Sequence, residues 1–165
     1  MRTLGLLAGA TMALAACAGS QDEPLLISEV QVQTDLAAVG SREAVGYWQG
    51  LSDDLETAIA GQFLGRVDPS GNVITVDVDE ISLTSPFAAG ATAETAVLSG
   101  RVEMLNPAGT SEGAWDVTAT ARDVVDFLPA GTDVVTVRPT TPEYYQAIVQ
   151  AFARGAAQSI ELGAD

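Results

Sequence analysis

Asn72-Val-Ile-Thr-Val-Asp-Val-Asp-Glu-Ile-Ser-Leu-Thr84 decides how this chain folds. Ile74, Val76 and Val78 fall on one side of an extended backbone and Thr75, Asp77 and Asp79 on the other, the two-residue period of a half-buried strand. The apolar phase slips by one residue at Ile81 and Leu83, so a β-bulge or a strand break is expected near Asp79-Glu80. Upstream the period changes. Val45, Trp48, Leu51, Leu55, Ile59 and Phe63 recur at three- and four-residue steps, predicting an amphipathic helix of roughly six turns with Ser41 as N-cap and Asp68-Pro-Ser-Gly-Asn72 as the turn after it. Before that helix, Leu26, Ser28, Val30 and Val32 alternate with Ile27, Glu29, Gln31 and Gln33, a first strand at 26–34.

Downstream, two more strands are expected. Residues 96–105 point Leu98, Val102 and Met104 inward, and residues 114–122 point Trp115, Val117, Ala119 and Ala121 inward, with Asn106-Pro-Ala-Gly-Thr-Ser-Glu-Gly113 as the hairpin loop. Residues 124–137 fit either an extension of this meander or a segment wrapping an edge. Thr140-Thr-Pro-Glu143 opens a last helix, with Thr140 and Glu143 as a capping box and Pro142 in the first turn. Tyr145, Ile148, Val149, Phe152, Ala156 and Ile160 share its apolar face, and Gly163 ends the pattern. The order β-α-β-β-β-α predicts an α+β two-layer sandwich: an antiparallel-rich sheet of four to five strands with two helices on one face and water on the other. Residues 25–165 read as a single domain.

The N-terminus is of another kind. Arg2 precedes an apolar run of about ten residues, too short for the ~20 needed to cross a bilayer, which matches an export leader. Its end, Leu14-Ala15-Ala16-Cys17, resembles the lipobox of bacterial lipoproteins and holds the chain's single cysteine. The resemblance implies removal of residues 1–16, a diacylglyceryl group on Cys17, acylation of the new amine, and residues 17–24 as a polar tether. A single acyl chain holds a protein reversibly, and two or more anchor it stably. Ala18, where an aspartate would suggest inner-membrane retention, implies the periplasmic face of the outer membrane. The element order is in turn similar to that of small two-helix, four-stranded envelope lipoproteins such as those of lipopolysaccharide assembly, although fold analogy does not supply a function.

Composition removes several chemistries. The chain has 165 residues, no histidine and a net charge of −15, and all seven of its bases are arginine. Without histidine or lysine there is no imidazole-based nucleophile system, no Schiff base and no phosphate-loop lysine, and one cysteine makes neither an intrachain disulfide nor a thiolate metal cluster. No enzyme activity, cofactor or metal is therefore expected. Nucleic acid is not an expected partner, because the chain lacks a basic face.

The remaining candidates each carry a plain structural reading. Gly109-Thr-Ser111-Glu-Gly113 matches a nucleophile elbow in spelling but lies between two strands and has no histidine base. Asp77, Asp79 and Glu80 suit a hard cation or acid catalysis on glycans, yet alternate as a solvated strand face does. Asp53, Asp54 and Glu56 read as a wet helical face, and Trp48 and Trp115 as core anchors. Ser85-Pro-Phe87-Ala-Ala-Gly-Ala-Thr-Ala-Glu-Thr95 is longer than a hairpin requires, so Phe87 is the candidate partner-contact residue, or else folds back on the sheet. The expectation is a non-catalytic, membrane-anchored accessory subunit that binds an envelope protein. A module for a small apolar ligand or lipid is the alternative. Direct binding of lipopolysaccharide is disfavoured by the excess of acid.

Overall fold

The computed structural model describes residues 24–163; the leader, the lipobox with Cys17, and the tether before Pro24 lie outside the described residues. Strand β1 (Ile27–Thr34) leads through α1 (Arg42–Tyr47) and α2 (Leu51–Gln62) to β2 (Asn72–Val78). After the short α3 (Glu80–Thr84) come β3 (Leu98–Leu105), β4 (Ser111–Ala119), α4 (Ala121–Val124) and the long α5 (Pro142–Gly163). The four strands form one open sheet in the order β1-β2-β3-β4. β1 and β2 are parallel, as a helical crossover requires, and β2-β3-β4 is an antiparallel meander. The protein is thus α+β, with α2 and α5 packed together on one face of the sheet.

Several elements depart from the alternation in informative ways. In β1 the register shifts between Ile27 and Glu29, so Ile27 is in the core with Val32 while Leu26 is exposed. A bulge placed there reverses the phase expected for the first two residues. The helix predicted from Ser41 is two helices. Ser41 caps the first as expected, accepting from the Ala44 N–H at 3.3 Å. The chain then breaks at Trp48-Gln49-Gly50 before α2 begins. Gly46 and Gly50 flank the break and are poor helix formers. The bend turns Trp48 inward, where its indole N–H donates to the Leu83 carbonyl at 2.8 Å. Trp48, Leu51, Leu55, Ile59 and Phe63 are all fully buried.

The phase slip after β2 is a strand end. Asp79 accepts from the Ile81 N–H at 2.9 Å and caps α3, which buries Leu83 and leaves Ile81 exposed. Among the described residues the sheet gains no fifth strand beyond β4. Ala121, expected at the end of the 114–122 strand, instead opens α4, where the Asp123 carboxylate accepts from both the N–H and the hydroxyl of Thr120. Residues 121–127 lie along α5, held by Arg154 to Asp126 at 2.8 Å and by the Arg154 guanidinium over the Phe127 ring. α5 is capped by the Thr141 hydroxyl, which accepts from the Tyr144 N–H at 3.3 Å, rather than by Thr140. It buries Tyr144, Ala147, Ile148, Val149, Ala151, Phe152, Ala153, Ala156, Ala157 and Ile160. That belt is wider than one stripe because α2, the sheet and the α4 segment cover α5 from three sides. Phe152, Ile148, Leu55, Ile59, Ile74, Val76 and Val102 fill the space between helices and sheet.

Candidate functional site

The two edges of the sheet are treated differently. At β1, the turn after α2 pairs with the strand start: the Ile27 N–H donates to the Arg66 carbonyl at 2.9 Å and the Asp68 N–H to the Ile27 carbonyl at 3.0 Å. Farther along, the Glu56 carboxylate accepts from the Val32 N–H at 3.0 Å, and the Ser52 and Thr34 hydroxyls lie 3.0 Å apart. Ser52 and Glu56 sit one turn apart beside the buried stripe of α2, so one side of that helix guards the edge. Glu56, expected on a purely wet face, therefore has a structural task.

At β4, among the described residues, no backbone group outside β3 pairs with the strand. After a bulge at Glu112 the strand runs regularly from Gly113 to Ala119, without proline or a basic side chain. It is the kind of edge that accepts another strand. Beside it, on the sheet face that α2 and α5 leave uncovered, Asp77, Arg101 and Asp116 stand in one cross-strand row and Ser99 and Thr118 in the next. With Asp79 and Glu80 at the end of β2 they line a shallow depression of about 360 Å³. The row holds the exposed Arg101–Asp116 pair at 3.5 Å. Counting Asp79 and Glu80, four carboxylates therefore share the depression with one guanidinium. Exposed pairs of this kind contribute little stability, but the surplus negative field remains.

The carboxylates singled out from the sequence are thus brought together around one depression. Asp79 is engaged as the cap of α3, and Asp77 is a solvated partner of Arg101 across the strands. Among the described residues no group of three or more potential metal ligands converges. Ser111 begins β4 directly after the hairpin turn at Gly109, whose positive φ suits glycine, and no helix follows to make an elbow. Trp115 is half-buried, resting beside Gly113 and under Gly163 at the end of α5, so it is less enclosed than Trp48.

The end of β2 and the approach to β3, where Asp79 and Glu80 also lie, carry an aromatic cluster on the helix side. Phe87 folds back against the buried core and meets Tyr47 of α1, with ring centroids 5.5 Å apart and edge-on geometry. It is half-buried and borders a shallow depression of about 340 Å³ with Glu43, Arg138 and Pro139. Tyr47 also meets Trp48 and Tyr145, and its hydroxyl lies within donating distance of the Pro139 and Thr141 carbonyls at 3.0 and 3.2 Å. Tyr145 donates to Asp54 at 2.5 Å, which gives one residue of the expected wet helical face a fixed partner. Tyr144 is fully buried, within hydrogen-bond distance of the Ala93 and Ala96 carbonyls, although the helical spacing had favoured Tyr145 for the core.

These are all three tyrosines of the chain, and burial raises the pKa of each. Tyr144 is pushed up to about 12. Tyr145 is raised further by its bond to the Asp54 carboxylate, and Tyr47 by the neighbouring Tyr144. Because the folded-state values lie above the unfolded value of about 10, the stability carried by the neutral phenols is complete below pH ~10 and lost as pH rises through the folded values. Tyrosinate absorbance at 295 nm will accordingly stay flat through pH ~10 in the folded protein while the urea-unfolded chain titrates there. Coincident curves would mean that the phenols are not buried in solution. No protein family, curated protein or solved structure was found to match this chain.

Proposed function

We propose that this protein is a non-catalytic lipoprotein, anchored through Cys17 to the periplasmic face of a bacterial outer membrane, that serves as an accessory subunit by holding an extended segment of an envelope protein along β4. The observation that carries the reading is the contrast between the guarded β1 edge and the unguarded β4 edge. An added strand would gain main-chain hydrogen bonds, and its side chains would stand next to Glu112 and Asp116 of β4, within the negative field of the depression beyond them. The partner segment is therefore basic. Two copies of β4 pair poorly with each other because each carries Glu112 and Asp116. Protein is preferred to a small apolar ligand because side chains fill the space between helices and sheet. The location rests on the leader, the polar tether and the position of the chain's single cysteine.

A photo-crosslinking residue at Glu112 or Thr118, introduced in the native host, will trap one defined envelope protein. The same group at Gln31, exposed on β1, will not, and Asp116→Arg will reduce the adduct. Equal products from both strands, or none, would remove the docking claim. Cys17→Ala will shift the protein from the membrane pellet to the soluble periplasm; retention in the pellet would remove the anchor.

A further inference from the structure

Among the described residues, four of the seven exposed large hydrophobic side chains, Leu26, Leu64, Val67 and Leu162, are held at one end of the domain. Leu26 precedes β1, and its carbonyl accepts from the Asn72 N–H at 2.8 Å. Leu64 and Val67 sit in the turn after α2, where Gly65 takes a positive φ and Arg66 and Asp68 pair with Ile27. Leu162 is brought there by the ion pair of its neighbour Glu161 with Arg66, at 2.7 Å. Leu64 and Leu162 are 82% and 78% exposed, beyond what the turn or the last turn of α5 requires. By contrast, Ile81 and Val135 lie on segments at the other end, past the end of β2 and just before α5.

We infer that this end rests on the lipid bilayer surface, with Leu26, Leu64, Val67 and Leu162 at the headgroup boundary. The inference depends on the lipidation of Cys17 proposed above. The reason for choosing lipid as the occupant is where the tether enters. Pro24 and Leu25 lead directly into this end of β1, and the seven peptide steps from Cys17 to Pro24 span at most about 25 Å. An anchored domain must therefore keep this end near the membrane, where exposed leucine and valine gain by leaving water. Charge refines the assignment. Asp68 and Glu161 lie at this end, and Asn72 holds Glu112 there at 3.0 Å, against one cation among the described residues, Arg66, already paired. The preferred surface is zwitterionic, and anionic headgroups repel it. Docked this way, the aromatic cluster and the Phe87 loop project away from the lipid.

The test uses the full lipidated protein, purified from native envelopes, with intact mass reporting the state of Cys17. Because acylation occupies the chain's one thiol, Leu64→Cys, Leu162→Cys and Ile81→Cys each offer a single labelling site. In phosphatidylcholine vesicles, an environment-sensitive fluorophore at 64 or 162 will shift to the blue and be quenched by doxyl-labelled phospholipid several-fold more than the same fluorophore at 81. Adding phosphatidylglycerol will shrink the difference. Equal solvent exposure at all three positions on an acylated chain would overturn the docking while leaving the anchor intact. An unmodified Cys17 with no vesicle association would overturn both. Protection of 64 and 162 in native envelopes but not in lipid alone would assign this end to a protein and overturn the inference.

Discussion

Trp48→Ala will destabilise the folded domain by about 3–5 kcal/mol, the range for truncating a large buried aromatic. The indole is fully buried, touches Tyr47 and Tyr145 edge-on or tilted, and donates across 35 residues of sequence to the Leu83 carbonyl. It joins the break between α1 and α2 to α3 at the end of β2, so its loss opens a cavity where three elements meet and leaves a buried carbonyl without its donor. Trp48→Phe separates the two effects. It keeps most of the ring and loses the donor, for a penalty of about 1–3 kcal/mol. Urea unfolding followed by far-ultraviolet circular dichroism measures both, with the midpoint moving and the slope constant. A loss below about 1 kcal/mol for the alanine variant would show that Trp48 is not packed as described.

Gly100→Val will cost about 3 kcal/mol, at the upper end of the range for overpacking a core. Gly100 is buried in β3, between Val78 and Val117 on the helix-facing side of the sheet. A Cβ there would stand 2.8 Å from the Asp77 carbonyl oxygen and 3.3 Å from the Phe152 ring. The first contact is backbone and does not yield; the second is a buried side chain of α5. Phe152→Leu in the same chain will recover only part of the loss, since it relieves the ring and not the carbonyl. Full recovery, or a valine variant as stable as the parent, would mean that α5 sits farther from β3. The same urea midpoints read both outcomes.

Much of this architecture was legible in the chain because it follows from local periods. Two-residue alternation located β2 and β3, three- and four-residue spacing located the buried faces of α2 and α5, and Ser41 was recognisable as a cap. Where expectation and structure part, a distant group decided. Ile27 replaces Leu26 in the core because a bulge against β2 resets the strand phase, and the register of two strands is not encoded in one of them. Tyr144 is enclosed and Tyr145 half-buried because the Ala93 and Ala96 carbonyls receive one hydroxyl and Asp54 the other. Residues 121–127 carry strand-like valines yet form short helical turns, since Asp123 engages Thr120 and Arg154 of α5 holds the segment.

The candidate site divides along the same line. The outward positions of Asp77 and Asp116 followed from alternation, but their meeting across Arg101 required the β2-β3-β4 register. The guard at β1 was hidden further, because Glu56 reads as one more solvated acid until α2 is laid beside β1. By itself the sequence determined the α+β class, the periods of its principal elements, and the absence of histidine, lysine and a second cysteine, all properties of neighbouring residues or of composition. Only the tertiary structure decided which sheet edge is closed and which open, and which exposed leucines gather at the end where β1 begins. Those properties arise between elements far apart in the chain, where burial and hydrogen bonding depend on the partner that packing supplies.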